Sequence, residues 1–368
     1  MSKRLKSFDD TGLMIPSHGL TPSLSATQAQ ASLNCIYNAH IDNSRFSSDI
    51  RKLQQMFHTF AAYAPPPWPG RDLKITPEIT YQSELWLPLQ QIRPIFYKLY
   101  RSSLRYPPVY GSTPFSRAAS WASLLDTLPD FLNRHTNPAA LLSLLLDDDE
   151  LRKRFIFWSF MPARFYGNVS LRYPQQWKII GQLAPQLREE FGRIDCLDAA
   201  CGDGEGTYGL ARTLLEHMQR GDFSIEGWTL DPLEVWSAAY ATFPHSAEKE
   251  RLFRAWVEPV YQHKASQRIR FRQADLLQPQ KDETRFHLII CNGLLGGPII
   301  NEMRQIEQIA ERLSSMLLPG GYLIIDDNFH GGWEKKIPAE IIRHIFEERR
   351  LNVNRDGSAF ICRKSREQ

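Results

Sequence analysis

The second half of the chain alternates short apolar runs with longer segments whose apolar residues recur at helical spacing. The apolar runs lie at 194–200, 225–230, 286–291 and 321–326. Apolar runs of this length are typical of strands buried on both faces, and intervening helices typically connect parallel strands. The pattern therefore predicts an α/β domain with a mostly parallel sheet and helices on both faces.

Three shorter segments extend the predicted sheet. Arg268–Arg272 alternates basic and apolar residues, which indicates a strand with one wet face at a sheet edge. Leu351–Val353 and Gly357–Cys362 predict an antiparallel hairpin that closes the sheet.

The first 160 residues have mainly helical periodicity. A Ser-Ser-Asp start at Ser47 precedes apolar residues at helical spacing, and further helical stretches are predicted over 82–104, 117–134 and 138–160. The proline cluster Pro65–Gly70 cannot continue a helix and indicates a stiff connector.

The length of 368 residues exceeds what one hydrophobic core usually supports, so we expect two domains. The first 45 residues are rich in Ser, Thr, Gln, Asn and Gly and have few periodic apolar positions. The predicted organisation is an irregular or mobile segment over 1–45, a helical domain over 46–160 and the α/β domain over 161–368.

Composition fits a globular protein, with 42% apolar and 23% charged residues. The net charge of +3 gives no argument for nucleic acid or an anionic membrane as the main partner. Five cysteines without C-x-x-C spacing speak against a disulfide framework and a structural zinc site. No leader-like or membrane-spanning apolar run is found, so we expect a cytoplasmic protein.

The first apolar run leads into a glycine-rich turn that opens a helix. The turn contains Asp198, Gly202, Gly204 and Gly206, and the helix is predicted to begin near Thr207. Glycines let the backbone approach a ligand closely, and the Asp198 carboxylate could hold a cationic amine or an ordered water. An ordinary glycine-rich turn is the alternative interpretation.

The next strand ends at Asp231, about 25 residues after the last glycine of the turn, where an acidic residue can accept both ribose hydroxyls of a nucleoside. A dinucleotide would need a third glycine at position 207, which is Thr207. Asp198 would also repel a pyrophosphate. These two positions favour a positively charged cofactor over a nicotinamide dinucleotide.

The two following strands supply further candidates. Asp275 could hydrogen-bond an adenine amino group while Leu276 packs on the ring, although Asp275 could instead cap a helix. Cys291 and Asn292 end the fourth strand, at the edge where open sheets bind ligands, which predicts the reaction site there. Cys291 ends an apolar strand and is interpreted as core packing.

Over about residues 165–365 the motifs resemble class I S-adenosylmethionine (SAM) methyltransferases, and more narrowly the CheR-type glutamate methyltransferases of chemotaxis receptors. Cys201–Ala211 is similar to the loop C-S-T-G-E-E-P-Y-S-L-A, and Ser170–Trp177 resembles F-F-R-[DE]-P. Phe286–Leu294 resembles F-D-x-I-x-C-R-N-V, and Leu318–Tyr322 matches the wider class's L-x-P-G-G turn.

The resemblance implies a Rossmann-like domain with a mostly parallel seven-stranded sheet and SAM as cofactor. It places Arg172 over the cofactor near an acceptor carboxylate, Asp231 at the ribose and Asn292 beside the transferring methyl. Further implied cofactor contacts are Asp198, Cys201, Gly202, Gly204, Glu205, Asp275 and Leu276.

The chain departs from this family in three places. Asn292 stands one place early, and Gly202 replaces a serine. The stretch 231–271 is short and helical in pattern, whereas the family inserts a small β-subdomain there that docks receptors. The class is therefore expected, but receptor glutamates are not assigned as the substrate.

The acceptor determines whether a base is needed. A carboxylate needs none, whereas a hydroxyl or amine must lose a proton, for which His330, Asp326 and Asp327 are candidates. The segment 325–333 also resembles the Asp-Asn metal site of catechol methyltransferases, but Asn292 stands where that site needs an earlier Asp, so no metal is predicted.

Two segments before the α/β domain carry strong charge. The acidic run Asp147–Glu150 is interpreted as a solvated corner because its side chains point in different directions. The basic and aromatic segment Leu151–Trp158 is interpreted as a helix that docks on the catalytic domain, with a nucleic-acid groove as the alternative.

The sequence thus predicts a SAM-dependent methyltransferase that modifies a carboxylate or hydroxyl of a protein or small molecule. An inactive methyltransferase-fold scaffold that recruits a protein partner through the helical half is the first alternative. A nicotinamide-dependent oxidoreductase is a weaker one. No membrane partner is expected, and nucleic acid is not favoured because the N-P-P-Y type motif of base methylation is missing after strand four.

Overall fold

A computed structural model describes residues 19–64, 74–132, 136–161, 173–219, 221–278, 285–297, 300–326 and 336–366. The predicted connector Pro65–Gly70 lies outside these ranges. Contacts divide the chain into two compact units. The sheet unit comprises the described residues within 1–29, 166–242 and 248–368, and the helical unit comprises those within 30–165 and 243–247.

The sheet unit contains the predicted α/β architecture. Its strands are β1 (Ile194–Asp198), β2 (Phe223–Thr229), β3 (Ile269–Gln273), β4 (Phe286–Asn292), β5 (Leu317–Asp326), β6 (Leu351–Asp356) and β7 (Ala359–Lys364). They form one seven-stranded sheet in the order β3-β2-β1-β4-β5-β7-β6. Only β7 runs antiparallel to its neighbours on both sides, so the mostly parallel sheet and the closing hairpin are both confirmed.

Helices follow most of the parallel strands. In chain order the helices are α1 (Ala26–Ile36), α2 (Ser47–Tyr63), α3 (Pro77–Trp86), α4 (Leu89–Ser103), α5 (Pro114–Arg117), α6 (Trp121–Leu125), α7 (Pro138–Asp147), α8 (Asp149–Phe160), α9 (Pro174–Phe191), α10 (Glu205–His217), α11 (Pro232–Tyr240), α12 (Ala247–Gln262), α13 (Met303–Met316) and α14 (Ala339–Glu348). Short 3-10 helices lie at Asn43–Phe46, Tyr110–Ser112 and Ala265–Arg268. In the described part of the chain, no helix is long and apolar enough to span a bilayer.

The Leu318–Tyr322 segment differs from the expected turn because β5 already begins at Leu317. Leu317 pairs with Phe286, and regular pairing resumes at Leu288 with Tyr322 after a register shift. Gly320 has a φ of +82° within this irregular part of the strand. The Pro-Gly-Gly sequence therefore forms a bulged strand entry.

The edge strand β3 is covered by residues 19–29, which we name the N-terminal strap. Leu20 and Phe271 exchange backbone N–H···O bonds of 2.8 Å in each direction. The Ser23 N–H donates to the Ala239 carbonyl at 2.9 Å. The strap thus satisfies edge groups of β3 that would otherwise face solvent.

The expected irregular segment over 1–45 contains helix α1, which corrects that expectation. Ala29, Leu33 and Ile36 are buried at spacings of four and three residues, so α1 has an apolar stripe. Because polar residues separate these positions, the composition of the segment does not indicate the apolar stripe.

The predicted helix over 138–160 is two helices that meet at Asp148. The Asp148 side chain accepts a hydrogen bond from the Leu151 N–H at 2.9 Å, as an N-cap of α8. The predicted helix over 117–134 is also shorter, since α6 ends at Leu125.

The acidic run Asp147–Glu150 is not entirely solvated, because Asp149 binds a buried arginine. Arg152 is 2% exposed and donates to Asp149 at 2.6 Å and to the Leu145 carbonyl at 2.9 Å. Tyr37 donates to the same Asp149 carboxylate at 2.8 Å. Asp149 therefore neutralises a buried guanidinium inside the helical unit.

The aromatic residues of α8 form the core of the helical unit. The Phe155 ring lies 6.1 Å from the Phe96 ring, 5.8 Å from Tyr100 and 6.3 Å from Phe115. The aromatic residues of Leu151–Trp158 are interpreted from the sequence as a surface that docks on the catalytic domain. Packing within the helical unit explains these residues instead.

Candidate active site

The sequence-predicted site residues lie where parallel strands end. Asp198 is the last residue of β1 and is in register with Gly227 of β2 and Ile290 of β4. Asn292 ends β4 and is in register with Asp326 of β5. The topology therefore brings these strand ends to the carboxyl edge of the sheet, where open α/β sheets bind their ligands.

The glycine-rich turn after β1 is fixed by backbone hydrogen bonds to both neighbouring strands. The Ala199 N–H donates to the Ile290 carbonyl at 2.8 Å, and the Cys201 N–H donates to the Trp228 carbonyl at 2.9 Å. Gly202 has a φ of +54°, and Glu205 is the first residue of α10. The turn is thus a rigid continuation of the sheet.

Gly204 cannot be replaced without strain. It precedes α10 as the N-cap with a φ of +92°, in the left-handed region. A Cβ atom there would lie 2.9 Å from the Ala238 Cβ and 3.1 Å from the Phe271 Cζ. Both conformation and space therefore require glycine.

Asp198 is 1% exposed and is held by the turn that follows it. Its Oδ2 accepts a hydrogen bond from the Thr207 hydroxyl at 2.9 Å. Burial raises the pKa of Asp198 to about 7, while hydrogen bonds from Thr207 and the Ala200 N–H act in the opposite direction. The carboxyl therefore titrates near neutral pH.

Thr207 and Gly206 both lie against the Asp198 carboxyl, a role that the sequence motifs do not assign to either residue. In the sequence Thr207 is notable only for breaking a dinucleotide motif, yet its hydroxyl contacts Asp198. A Cβ atom on Gly206 would lie 2.7 Å from the Asp198 Oδ2. The first helical turn of α10 is therefore built around the carboxyl.

The two acids after β2 and β3 both cap local turns. The Asp231 Oδ1 accepts the Leu233 N–H at 2.9 Å as the N-cap of α11. The Asp275 Oδ1 accepts the Leu277 N–H, also at 2.9 Å. A carboxylate has about four acceptor positions, and a cap bond uses one of them. Leu276 beside Asp275 is buried.

Asn292 is paired with a side chain to which the sequence motifs assign no role. Gln176 of α9 is fully buried, and its Nε2 donates to the Asn292 Oδ1 at 2.7 Å. The Asn292 Nδ2 donates back to the Gln176 Oε1 at 2.9 Å. This reciprocal amide pair fixes the orientation of Asn292 at the end of β4.

The cysteines of the site are packing residues. Cys201 is buried, and desolvation together with the charge of Asp198 raises the pKa of its thiol well above the ordinary value. Cys291 is fully buried in the apolar cluster between the sheet and α13. Neither thiol has the exposed, electropositive surroundings of a nucleophile.

Three predicted residues lie outside the described part of the chain: Arg172, His330 and Asp327. Asp326 is described, and it is 2% exposed at the end of β5. Among the described residues, no group of His, Cys, Asp and Glu side chains could hold a metal ion.

The sequence matches one family model at this site. Residues 170–330, which are less than half of the chain, match the CheR methyltransferase, SAM binding domain. The matched segment is similar to the SAM-binding domain of CheR methyltransferases. SAM is therefore the cofactor, and the nicotinamide alternative is set aside.

Several solved structures are similar to the chain at low identity. The N-methyltransferase NodS from Bradyrhizobium japonicum WM9, in complex with S-adenosyl-L-homocysteine (SAH), is 17% identical over 58% of this chain and 97% of that chain, with a TM-score of 0.34. An O-methyltransferase family protein from Burkholderia thailandensis is 14% identical over 94% of this chain and 100% of that chain, with a TM-score of 0.36. No curated protein matches the sequence.

The described residues of the matched segment fit a cationic cofactor. Asp198, Asp203 and Glu205 lie in or next to the glycine-rich turn, and Asp231 and Asp275 follow the next two strands. SAM has a sulfonium and an ammonium group, so a carboxylate-rich edge suits it better than it suits a pyrophosphate. Lys249 pairs with Asp203, which fixes one of these acids.

Proposed function

We propose that this protein transfers the methyl group of SAM to an oxygen acceptor, with a carboxylate of a protein or small molecule preferred over a hydroxyl. The observation that carries the proposal is the match of residues 170–330 to the CheR SAM-binding domain. The loop Cys201–Ala211 shares six positions with the CheR-type loop, including Glu205 and Tyr208.

We assign the cofactor contacts to the strand ends that the fold brings to one edge. Asp231 accepts the ribose hydroxyls, and Asp275 and Leu276 contact the adenine ring. The turn residues Cys201, Gly202, Gly204 and Glu205 line the methionine part together with Asp198. Gly204 lets the turn pack closely against Ala238 and Phe271, which fixes the backbone that faces the cofactor.

Bound SAM supplies a strongly electrophilic methyl group, so the protein needs mainly to align the acceptor for in-line attack. Asn292 is suited to this because the Gln176 pair holds its amide in one orientation. A carboxylate acceptor needs no base. Arg172 is proposed to hold an acceptor carboxylate, and His330 is proposed as the base for a hydroxyl acceptor.

The segment between β2 and β3 argues against receptor glutamates as the preferred acceptor. Residues 232–268 are all described, and they contain α11, α12 and a 3-10 helix but no strand. The chain thus has helices at the place where the CheR-type family has its receptor-docking β-subdomain. We therefore propose a carboxylate acceptor without assigning it to a receptor.

Methyl transfer from labelled SAM tests the proposal. The full chain is incubated with small-molecule and protein pools, and the products are then treated with mild alkali. Methyl esters release volatile methanol, whereas methyl ethers and methylamines do not. We expect alkali-labile product, and stable product from every pool would overturn the carboxylate assignment.

Variants of the amide pair connect that activity to the site. Asn292→Ala removes a group proposed to lie beside the methyl, so turnover should fall by at least about tenfold. Gln175→Ala changes a side chain that contacts the surface residue Asp356 and should retain activity. Binding of SAH without any transfer would instead favour an inactive scaffold.

A further inference from the structure

The β6–β7 hairpin carries a basic cavity that the methyl-transfer function does not use. The cavity has a volume of about 550 Å³. It is lined by Arg350, Asn352, Arg363, Lys364, Ser365 and Arg366. Volumes of this size are typical of small-ligand sites.

The cavity and the glycine-rich turn lie at opposite ends of the parallel strands. Lys364 ends β7, and its Nζ donates to the Leu317 carbonyl at the start of β5 at 2.8 Å. Asp326, by contrast, ends β5 next to Asn292. The basic cavity is therefore at the amino edge of the parallel strands, and the proposed SAM site is at their carboxyl edge.

Positive charge in the cavity exceeds the acidic charge around it. Arg363 and Arg366 share a single carboxylate, that of Glu190, at 3.8 and 2.7 Å. Lys364 donates to two backbone carbonyls, those of Ser314 and Leu317. Within the described ranges, Arg350 forms no ion pair with an acidic side chain.

A further cation adds to this charge. The pKa of Lys364 is lowered by burial first and by the positive charge of Arg285 second, with Glu311 acting in the opposite direction. Arg285 therefore repels Lys364, and an anion in the cavity would offset this repulsion.

The lining also contains the types of hydrogen-bond donor that an oxyanion requires. Asn352 and Arg363 are cross-strand partners, so their side chains project from the same face of the sheet. The Arg363 guanidinium lies 5.2 Å from the centre of the Tyr322 ring, which orients its N–H groups. Guanidinium forks, an amide and the Ser365 hydroxyl together present N–H and O–H donors to one ligand.

We propose that this cavity binds a small phosphate-bearing anion at a site separate from the SAM site. A phosphate group carries more than one negative charge and accepts several hydrogen bonds, which matches three arginines and a lysine better than a single carboxylate does. The bound anion neutralises cations that Glu190 and Glu311 leave in excess.

Calorimetric titration of the full chain with inorganic pyrophosphate, in the presence of saturating SAH, tests the proposal. Pyrophosphate should bind at low salt, and Arg350→Gln with Arg366→Gln should weaken binding by about tenfold or more. Arg268→Gln removes another exposed arginine, in a 3-10 helix next to the opposite edge strand β3, and should leave binding unchanged. Malonate, a dianion without phosphorus, should bind much more weakly than pyrophosphate.

Several results would overturn the proposal. These are absence of pyrophosphate binding, displacement of pyrophosphate by SAH, equal weakening in the Arg268→Gln control, or equal binding of malonate. Arg350 and Arg366 are exposed, and a melting curve verifies that the double variant is folded. If the double variant is not folded, the single variant Arg366→Gln is used in its place. SAH binding is measured in the same samples, so failure at the basic cavity is distinguishable from failure of the methyltransferase proposal.

Discussion

Asp198 is a single buried carboxyl that links the stability of the fold to pH. Burial raises its pKa to about 7, well above the value near 4 of a solvated aspartate. The unfolded chain therefore loses this proton at lower pH than the folded chain does. The contribution of Asp198 to the free energy of unfolding falls as pH rises from about 4 to about 7, and it is constant above that range.

Cofactor binding should have the opposite dependence on pH. We expect the positive charges of SAM to favour ionised Asp198, so affinity for SAM should rise between about pH 6 and 8 with release of a proton. Calorimetry in buffers of different ionisation enthalpy measures the released proton. Asp198→Asn keeps an acceptor for the Thr207 hydroxyl but cannot titrate, so its affinity should be weaker and flat over this range. A flat profile in the unaltered protein would contradict the assignment.

Sequence patterns predict residues that follow strands and miss their distant partners. Asp198, Asp231, Asp275 and Asn292 could be predicted because the apolar runs that precede them mark where each strand ends. Gln176 contacts Asn292 across a separation of 116 residues. No periodicity encodes such a pair, because it depends on how α9 packs on the sheet.

At the scale of elements, α12 packs against α10, the helix that follows the glycine-rich turn. The Tyr261 hydroxyl lies 3.2 Å from the Tyr208 hydroxyl of α10, and the Phe253 ring packs edge-on at 5.7 Å from the Tyr208 ring. At the other end of α12, Lys249 forms an ion pair with Asp203 in the turn. The helices between β2 and β3 therefore support the turn through α10 as well as directly.

Removing the ion pair should weaken the cofactor site. In Lys249→Met, Asp203 loses its cationic partner, and SAH affinity should fall about threefold to tenfold because the turn is less ordered. Lys249→Arg should retain most of the affinity. Arg251→Met on the same helix changes an exposed charge and serves as the matched control. Dissociation constants and melting temperatures are measured for all three variants. A lower melting temperature in Lys249→Met with unchanged affinity would indicate a purely structural ion pair.

Helix boundaries show why patterns locate elements better than they locate their ends. The apolar residues from 138 to 160 predict one helix because those on α7 and α8 continue with similar spacing. Asp148 interrupts the helix by capping α8 with its own side chain. Leucine-rich spacing cannot reveal this break, since an aspartate also occurs on exposed helix faces.

For the whole molecule, the distribution of charge carries more information than its sum. The net charge of +3 gives no argument for nucleic acid or an anionic membrane as the main partner. In the sheet unit, however, acids collect at the carboxyl edge around the cofactor turn, and arginines collect at the amino edge around the basic cavity. Because the total sums 44 basic and 41 acidic residues over the whole chain, composition alone could not predict either local cluster.

The sheet unit includes a segment that lies far from the rest of the unit in the sequence. The sequence predicts a boundary at residue 161, yet the strap from 19 to 29 belongs to the sheet unit. Its bridge joins Leu20 to Phe271 by one pair of residues, which is too short to give a strand pattern. Alternation predicts the edge position of β3, but it cannot predict the segment that covers this edge.

Loosening the strap should therefore destabilise the sheet unit and expose its β3 edge. Leu20→Pro and Ser23→Pro together remove the N–H groups that bond to the Phe271 and Ala239 carbonyls. The expected loss is about 1–3 kcal/mol in the free energy of unfolding, since each net hydrogen bond contributes roughly 1 kcal/mol. An unpaired edge strand also pairs readily with another chain, so the double proline variant should self-associate with rising concentration.

The control variant Leu20→Ala with Ser23→Ala loses the same side chains but keeps both N–H groups, and its stability should remain close to that of the unaltered protein. Denaturant unfolding and light scattering on both variants separate the two cases, and identical behaviour would show that the strap's hydrogen bonds do not protect the edge.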